Sequence, residues 1–197
     1  MERMDFLGYI IVVLVVVVMI KIYLNSDVFN LKCVISDVDG NKYCVRERNK
    51  IQLVADLLAR VTTKMKKVVK HMYSLYPDRE NIQRLKENFN PKKVYETLPT
   101  SEYTAYSENK GEKMAFCVTR KKNGKRLIDE NTLTFVALHE LSHLMTKSIG
   151  HQPDFWANFK FLLKHAVDLG VYQPVDYGKD STTYCGMEIT DNPYFSS

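Results

Sequence analysis

Paired cysteine motifs are absent from this sequence. The 197 residues include four cysteines, Cys33, Cys44, Cys117 and Cys185, and no two of them form a Cys-x-x-Cys pair. A zinc site built on paired cysteines is therefore excluded. The chain also lacks an Asn-x-Ser/Thr glycosylation sequon after its first 27 residues. Both absences favour a reducing, cytosolic compartment.

Charge is absent from a long run near the start. No charged residue occurs from Phe6 to Ile20, and Lys21 is followed by three more apolar residues. A run of nineteen residues, 6–24, is enough to cross roughly 30 Å of hydrocarbon. A cleaved signal peptide is the weaker alternative, because a clearly basic start and a small-residue cleavage site are both missing. The sequence predicts a transmembrane anchor in 1–27 and one domain in 28–197.

The overall charge restricts the partners only loosely. The formal net charge of +5 fits nucleic acid or lipid headgroups but demands neither. Basic residues after the apolar run outnumber the single Arg3 before it, which places the C-terminal domain in the cytosol. We therefore expect a single-pass membrane protein that contacts the lipid bilayer through residues 6–24.

The rest of the chain alternates between strand and helix patterns. In order, it predicts a β-hairpin at 31–47, helices at 50–76 and 78–89, and strands at 102–107 and 113–119. Helices at 131–148 and 153–169 and an irregular tail at 172–195 follow. Cys33 and Cys44 would face each other across the hairpin, as a disulfide in an oxidising compartment or as apolar fillers in a reducing one. The tail tyrosines either pack the tail onto the domain or bring a hydroxyl to the active site.

The segment His139-Glu-Leu-Ser-His143 carries the main chemical signal. Histidines at i and i+4 lie on one face of a helix, so that both imidazoles can reach one zinc ion. Glu140 is placed to act on a water molecule at the metal rather than to bind the metal. The surrounding positions are apolar, and a buried histidine or glutamate is costly without a partner.

A third ligand is expected just beyond this helix. Asn131 or Thr132 can cap the start of the helix, and Gly150 can reverse the chain after its end. His151 follows at once, where the reversed chain returns towards the first two histidines. Asp154 is the rival third ligand, or else an acceptor that orients a zinc histidine.

The motif resembles a known family. His139-Glu-Leu-Ser-His143, Gly150-His151 and Asp154-Phe-Trp156 are similar to the HELxH…GHxxxFW signature of the WLM/SprT-like zinc metallopeptidases, a group that includes proteases acting on DNA–protein crosslinks. The resemblance implies zinc held by His139, His143 and His151, with Glu140 as general base. It also implies that the strand before the metal helix, Met114–Val118, pairs with extended substrate. The layout of anchor, domain and Tyr/Cys tail resembles membrane proteins of large DNA viruses, which implies a host or virion membrane.

These observations define one expected protein and two alternatives. The expected fold is α+β, a zincin-like metallopeptidase domain with a small mixed sheet and an active-site helix, preceded by a single transmembrane helix. The expected function is a membrane-anchored zinc peptidase that hydrolyses polypeptides with metal-activated water and Glu140 as general base. The alternatives are a non-catalytic membrane-anchored zinc-binding module and a protease acting on nucleic-acid-bound proteins. Nucleic acid is not the favoured partner, because the lysines of 50–76 are more simply a solvated helix face.

Overall fold

A computed structural model describes most of the chain. The described residues are 6–25, 31–98, 100–108, 111–122 and 124–196. Five helices are found in these ranges, α1 Phe6–Asn25, α2 Ile51–Leu75, α3 Glu80–Asn88, α4 Glu130–Met145 and α5 Pro153–Asp168. Seven strands accompany them, β1 Leu31–Ile35, β2 Lys42–Arg46, β3 Val94–Glu96, β4 Ala105–Glu108, β5 Lys113–Phe116, β6 Thr182–Tyr184 and β7 Met187–Ile189.

The predicted membrane anchor is wrong. Within the part of the chain that the structure describes, no helix is both long enough and apolar enough to cross a membrane. Helix α1 covers the predicted segment, at Phe6–Asn25, but it does not meet this combined requirement of length and hydropathy. The predicted bilayer contact through 6–24 and the single-pass membrane localisation depended on that anchor and are withdrawn with it.

The main sheet is mixed and has five strands. Its order is β1-β2-β3-β5-β4, with antiparallel pairs at both ends and parallel pairs around β3. The α+β class is therefore present. The sequence analysis missed β3, whose three residues are too few for a visible alternation. β4 is an edge strand, whereas β5 lies between β3 and β4.

Helix α4 forms the centre of the helical layer. It contacts α2, α3 and α5 and reaches β4 on the sheet, and twelve of its sixteen residues are buried. Phe135 illustrates this packing, with its ring centroid 5.2 Å from that of Phe159 on α5. Because α4 is held on several sides, side chains that project from its remaining face have a fixed position.

The N-cap of α4 lies two residues before Asn131 and three before Thr132, the two predicted caps. Asp129 is the N-cap, and its carboxylate accepts a hydrogen bond from the backbone N–H of Thr132 at 2.8 Å. The Thr132 hydroxyl donates to the other oxygen of the same carboxylate at 2.7 Å. An aspartate at this position satisfies a backbone donor and favours the positive end of the helix dipole.

Two disulfides are formed among the described residues, one within a hairpin and one between distant parts of the chain. Cys33 and Cys44 are paired across β1 and β2 and are bridged, so of the two alternatives for this pair the structure has the disulfide. Cys117 is bridged to Cys185, 68 residues later. This second bridge was not predicted, and it attaches the tail hairpin of β6 and β7 beside the end of β5. Disulfides are typical of oxidising compartments, which argues against the reducing compartment inferred from the sequence.

Candidate metal centre

Two histidines of α4 converge as the motif predicts. The Nε2 atoms of His139 and His143 are 3.2 Å apart, because residues four apart lie on the same face of a helix. Both side chains are half-buried, and both line a cleft of about 1110 Å³. The helix therefore fixes two imidazole nitrogens at the bottom of a solvent-accessible space.

The turn between α4 and α5 supplies the third histidine. Gly150 has φ +78°, a left-handed conformation that favours glycine and reverses the chain. His151 follows, and its Nε2 lies 3.0 Å from the Nε2 of His139. The Trp156 indole N–H donates to the backbone carbonyl of His151 at 3.1 Å, which ties the turn to the first part of α5.

Asp154, the alternative third ligand, instead stabilises the turn between α4 and α5. Its carboxylate accepts a hydrogen bond from the Ser148 hydroxyl at 2.6 Å. This bond is also the main cause that lowers the pKa of Asp154. The group of potential ligand atoms within 4.8 Å of one another consists of His139, His143 and His151 and does not include Asp154. His151 is therefore the third member of the cluster.

The three imidazoles fit a metal ion. Two nitrogens held tetrahedrally at about 2.0–2.1 Å from zinc are separated by about 3.3 Å, and the observed separations are 3.2 and 3.0 Å. Burial, together with the other histidines of the cluster, lowers the pKa of His139 to about 3, and burial and His151 lower that of His143 to about 4. Neutral imidazole is the form that coordinates metals. The cluster could hold a metal ion.

Phe155 is a supporting residue that the sequence analysis assigned only to the core. Its buried ring lies against all three imidazoles, with centroid distances of 4.8 Å to His139, 4.4 Å to His143 and 4.7 Å to His151. An aromatic ring in this position restricts the rotation of the imidazoles and excludes water behind them. The Phe155-Trp156 pair of the motif was the available signal.

Glu140 lies beside the cluster and is buried. Its side chain lines the same cleft and is 5% exposed. Among the described residues, its carboxylate has no hydrogen-bond or ion-pair partner. Burial raises the pKa of Glu140 to about 8. A buried carboxyl group without a partner is costly, and a cation beside it would favour its ionised form.

The floor of the cleft is formed by α4, the turn 146–152 and the start of α5. Its walls are β4 with the preceding residues 100–104, and the tail from β6 to Pro193. The strand predicted to pair with substrate, 114–118, is not in either wall, because its β5 part is paired on both sides. β4 lines the cleft instead and has one edge outside the sheet ladder.

Tyr184 connects the tail wall to the β4 wall. Its buried ring lines the cleft, and its hydroxyl donates to the Thr104 carbonyl at 3.2 Å. The same carbonyl accepts from the Cys117 backbone N–H at 2.8 Å. Burial first, and then the charge of Glu140, raise the pKa of Tyr184 well above its usual range. One of the predicted tail tyrosines thus reaches the cleft, but its hydroxyl is engaged by the backbone.

Viral proteins are similar to this chain. It is 30% identical over 169 residues to uncharacterized protein R325 of Acanthamoeba polyphaga mimivirus, a match that covers 80% of this chain and 81% of that protein. The chain therefore belongs to the same family as the mimivirus protein. It is also 41% identical over 70 residues to uncharacterized protein 042R of Invertebrate iridescent virus 3. That shorter match covers 36% of this chain and 43% of the relative.

A third relative is similar over a shorter length. Uncharacterized protein 136R of Invertebrate iridescent virus 6 is 44% identical over 57 residues, which cover 28% of this chain and 32% of that protein. No family model matches the chain. No solved structure matches it either. The predicted zincin-like fold is therefore corrected to the architecture described above, a mixed five-stranded sheet against a helical layer built around α4.

Proposed function

We propose that this chain is a zinc-dependent peptidase. The observation that carries the proposal is the convergence of three histidine nitrogens beside a buried, unpartnered Glu140 at the floor of an open cleft. Three protein ligands with an accessible remaining position are typical of catalytic zinc, whereas structural zinc sites are closed. The open cleft therefore favours an enzyme over a non-catalytic zinc-binding module.

Each residue of the floor has a defined role in this proposal. His139, His143 and His151 hold the ion, and Phe155 keeps their rings in place. Bound zinc would supply Lewis acidity, which polarises a peptide carbonyl and acidifies water. Glu140 accepts a proton from the attacking water while the water oxygen bonds to the carbonyl carbon. The same carboxyl group then gives the proton to the amide nitrogen as the C–N bond breaks.

The β4 wall supports a polypeptide substrate. β4 is an edge strand, and its outward backbone groups are available for pairing with an extended chain. Backbone pairing tolerates different substrate sequences, and it fixes the position of the substrate's peptide bonds beside β4. Tyr184 and Cys117 both bond to Thr104, so the start of β4 is fixed relative to the tail wall and the end of β5.

The substitution Glu140→Gln tests the proposal. We expect the full-length variant to retain stoichiometric zinc, measured by elemental analysis, because Glu140 is not a ligand. Peptide hydrolysis, followed by mass spectrometry, should fall by roughly 10²–10⁴-fold because the general base is lost. Glu188→Gln is the matched control, since Glu188 lies in the tail hairpin outside the cleft lining. Wild-type rates in Glu140→Gln, or wild-type protein without zinc, would contradict the proposal.

A further inference from the structure

Large exposed apolar side chains gather around the cleft. Tyr103, Ile149, Trp156 and Met187 all line it, and their exposed fractions are 65%, 88%, 41% and 53%. They come from three separate parts of the chain, the residues before β4, the turn and first part of α5, and the tail. Exposed apolar groups gathered around one cavity are typical of a binding site, and these would contact a bulky apolar side chain.

The charge of the cleft is opposite to that of the whole chain. The chain has 28 Lys and Arg against 23 Asp and Glu, yet no Lys or Arg lines the cleft among the residues that the structure describes. Beside Glu140, the lining carboxylates are Glu102, Glu108 and Asp191. Glu108 has a partner in Lys113, 3.7 Å away. Glu102 and Asp191 are exposed and remain accessible to a ligand.

Local hydrogen bonds order the backbone around the two accessible carboxylates, which lie on different walls of the cleft. Glu102 lies in a turn where the Ser101 hydroxyl donates to the Tyr103 carbonyl at 3.0 Å and accepts from its N–H at 3.2 Å. Asp191 accepts from the Asn192 N–H at 2.8 Å. The amide of Asn192 in turn donates to the buried tail at the Val175 carbonyl, 2.8 Å away.

The two walls meet at Thr104. The Thr104 hydroxyl lies 3.9 Å from the Met187 sulfur, and the Tyr184 hydroxyl bonds to the Thr104 carbonyl. Any chain lying along β4 would therefore pass both walls. Its apolar side chains could contact Met187, while its charged side chains would meet carboxylates.

We propose that the cleft selects extended polypeptide segments in which a bulky apolar residue is flanked by Lys or Arg. This inference rests on the proposed peptidase function and adds the substrate class. Basic side chains would pair with Glu102 and Asp191, which improves specificity and the rate of encounter. The same carboxylates repel phosphate groups, so a nucleic-acid strand does not occupy this cleft. The substrate is the polypeptide itself.

The test compares two matched peptides on the full-length, zinc-loaded protein. Both have a central leucine, and it is flanked by lysines in one and by glutamates in the other. We expect the lysine peptide to have the higher kcat/KM and to bind the zinc-loaded Glu140→Gln variant more tightly by fluorescence anisotropy. Added salt should reduce the difference. Replacing the central leucine by serine should weaken binding of both peptides.

Substitutions of Glu102 and Asp191 test whether these two carboxylates cause the preference for the lysine peptide. Glu102→Gln with Asp191→Asn should reduce the preference for the lysine peptide by roughly two- to fivefold per charge removed. The control Glu47→Gln removes an exposed carboxylate that is outside the cleft lining and should leave the preference unchanged. Equal binding of both peptides, or an unchanged preference in the double variant, would overturn the inference even if peptides are hydrolysed. Selective binding without hydrolysis of any peptide would instead remove the peptidase proposal and keep the inferred selectivity.

Discussion

The floor and the walls of the cleft are built from different kinds of contact. The three histidines of the floor lie within thirteen consecutive residues, 139–151, on one helix and the turn that follows it. The walls depend on residues far apart in sequence. Tyr184 and Thr104 are 80 residues apart, and the Cys117–Cys185 bridge spans 68. A local pattern specifies the three imidazoles, whereas long-range contacts specify the space above them.

Substituting one histidine of the cluster should have the largest effect. It should abolish metal binding at the floor and leave the walls unchanged. We expect His143→Ala to lose stoichiometric zinc, because two imidazoles alone hold the ion much less tightly. Its free energy of unfolding should also become insensitive to added zinc. His165→Ala is the control, since His165 lies against Tyr76 and His71, away from the cluster. Full zinc retention by His143→Ala would remove the site.

Removing the tail disulfide should disturb the tail wall of the cleft and leave the histidines of the floor in place. Cys117→Ser with Cys185→Ser should lower the free energy of unfolding by about 4 kcal/mol, by the loop-closure estimate for a ring of this size. Zinc content should persist while peptide hydrolysis falls, because the tail wall is released and the ligands are not. Urea denaturation, elemental analysis and peptide assays measure the three quantities.

The hairpin disulfide offers the matched comparison. Cys33→Ser with Cys44→Ser opens a ring with a sequence separation of only 11, for which the same estimate gives about 3 kcal/mol. This pair does not line the cleft, so hydrolysis by the folded protein should be unchanged. Equal loss of hydrolysis in both double variants would show that the tail bridge has no special relation to the cleft.

The smallest expected effect concerns the Tyr184 hydroxyl. Tyr184→Phe removes the bond to the Thr104 carbonyl but keeps the packing of the ring. We expect the free energy of unfolding to fall by about 0.5–1.5 kcal/mol, with zinc content unchanged, as measured by urea denaturation and elemental analysis. Tyr103→Phe is the control because Tyr103 is largely exposed. A loss of zinc in Tyr184→Phe would show that walls and floor are not separable.

Sequence patterns predicted the floor because it depends on local geometry. The spacing of His139 and His143 requires only a helix, and the position of His151 requires only a reversal at Gly150. Helices α2 and α5 were likewise predicted from their apolar periodicity, and α3 was predicted as a short charged helix between Pro77 and Pro91. The cap of α4 was misplaced by a few residues, because Asn131, Thr132 and Asp129 are all good cap residues and only the hydrogen bonds distinguish them.

The tail wall and strand β3 were not predictable for a physical reason. Strands of three residues, such as β3, β6 and β7, carry too little alternation to be recognised. The tail also turns at Cys185, which has φ +52°, a conformation uncommon for a residue other than glycine. Its position depends on the bridge to Cys117 and on the bond from its own N–H to the Thr119 carbonyl at 3.1 Å. Neither contact has a local signature.

The tail bridge also has a topological consequence. Residues 117–185 form a covalent ring that contains α4, α5 and all three histidines. A single break of the backbone anywhere inside this ring leaves one molecule, since both new ends stay joined through the two sulfurs. A nicked chain would migrate intact under non-reducing conditions and separate only after reduction. The ring thus keeps the three imidazoles on one covalent framework even after the exposed turn that carries His151 has been cut.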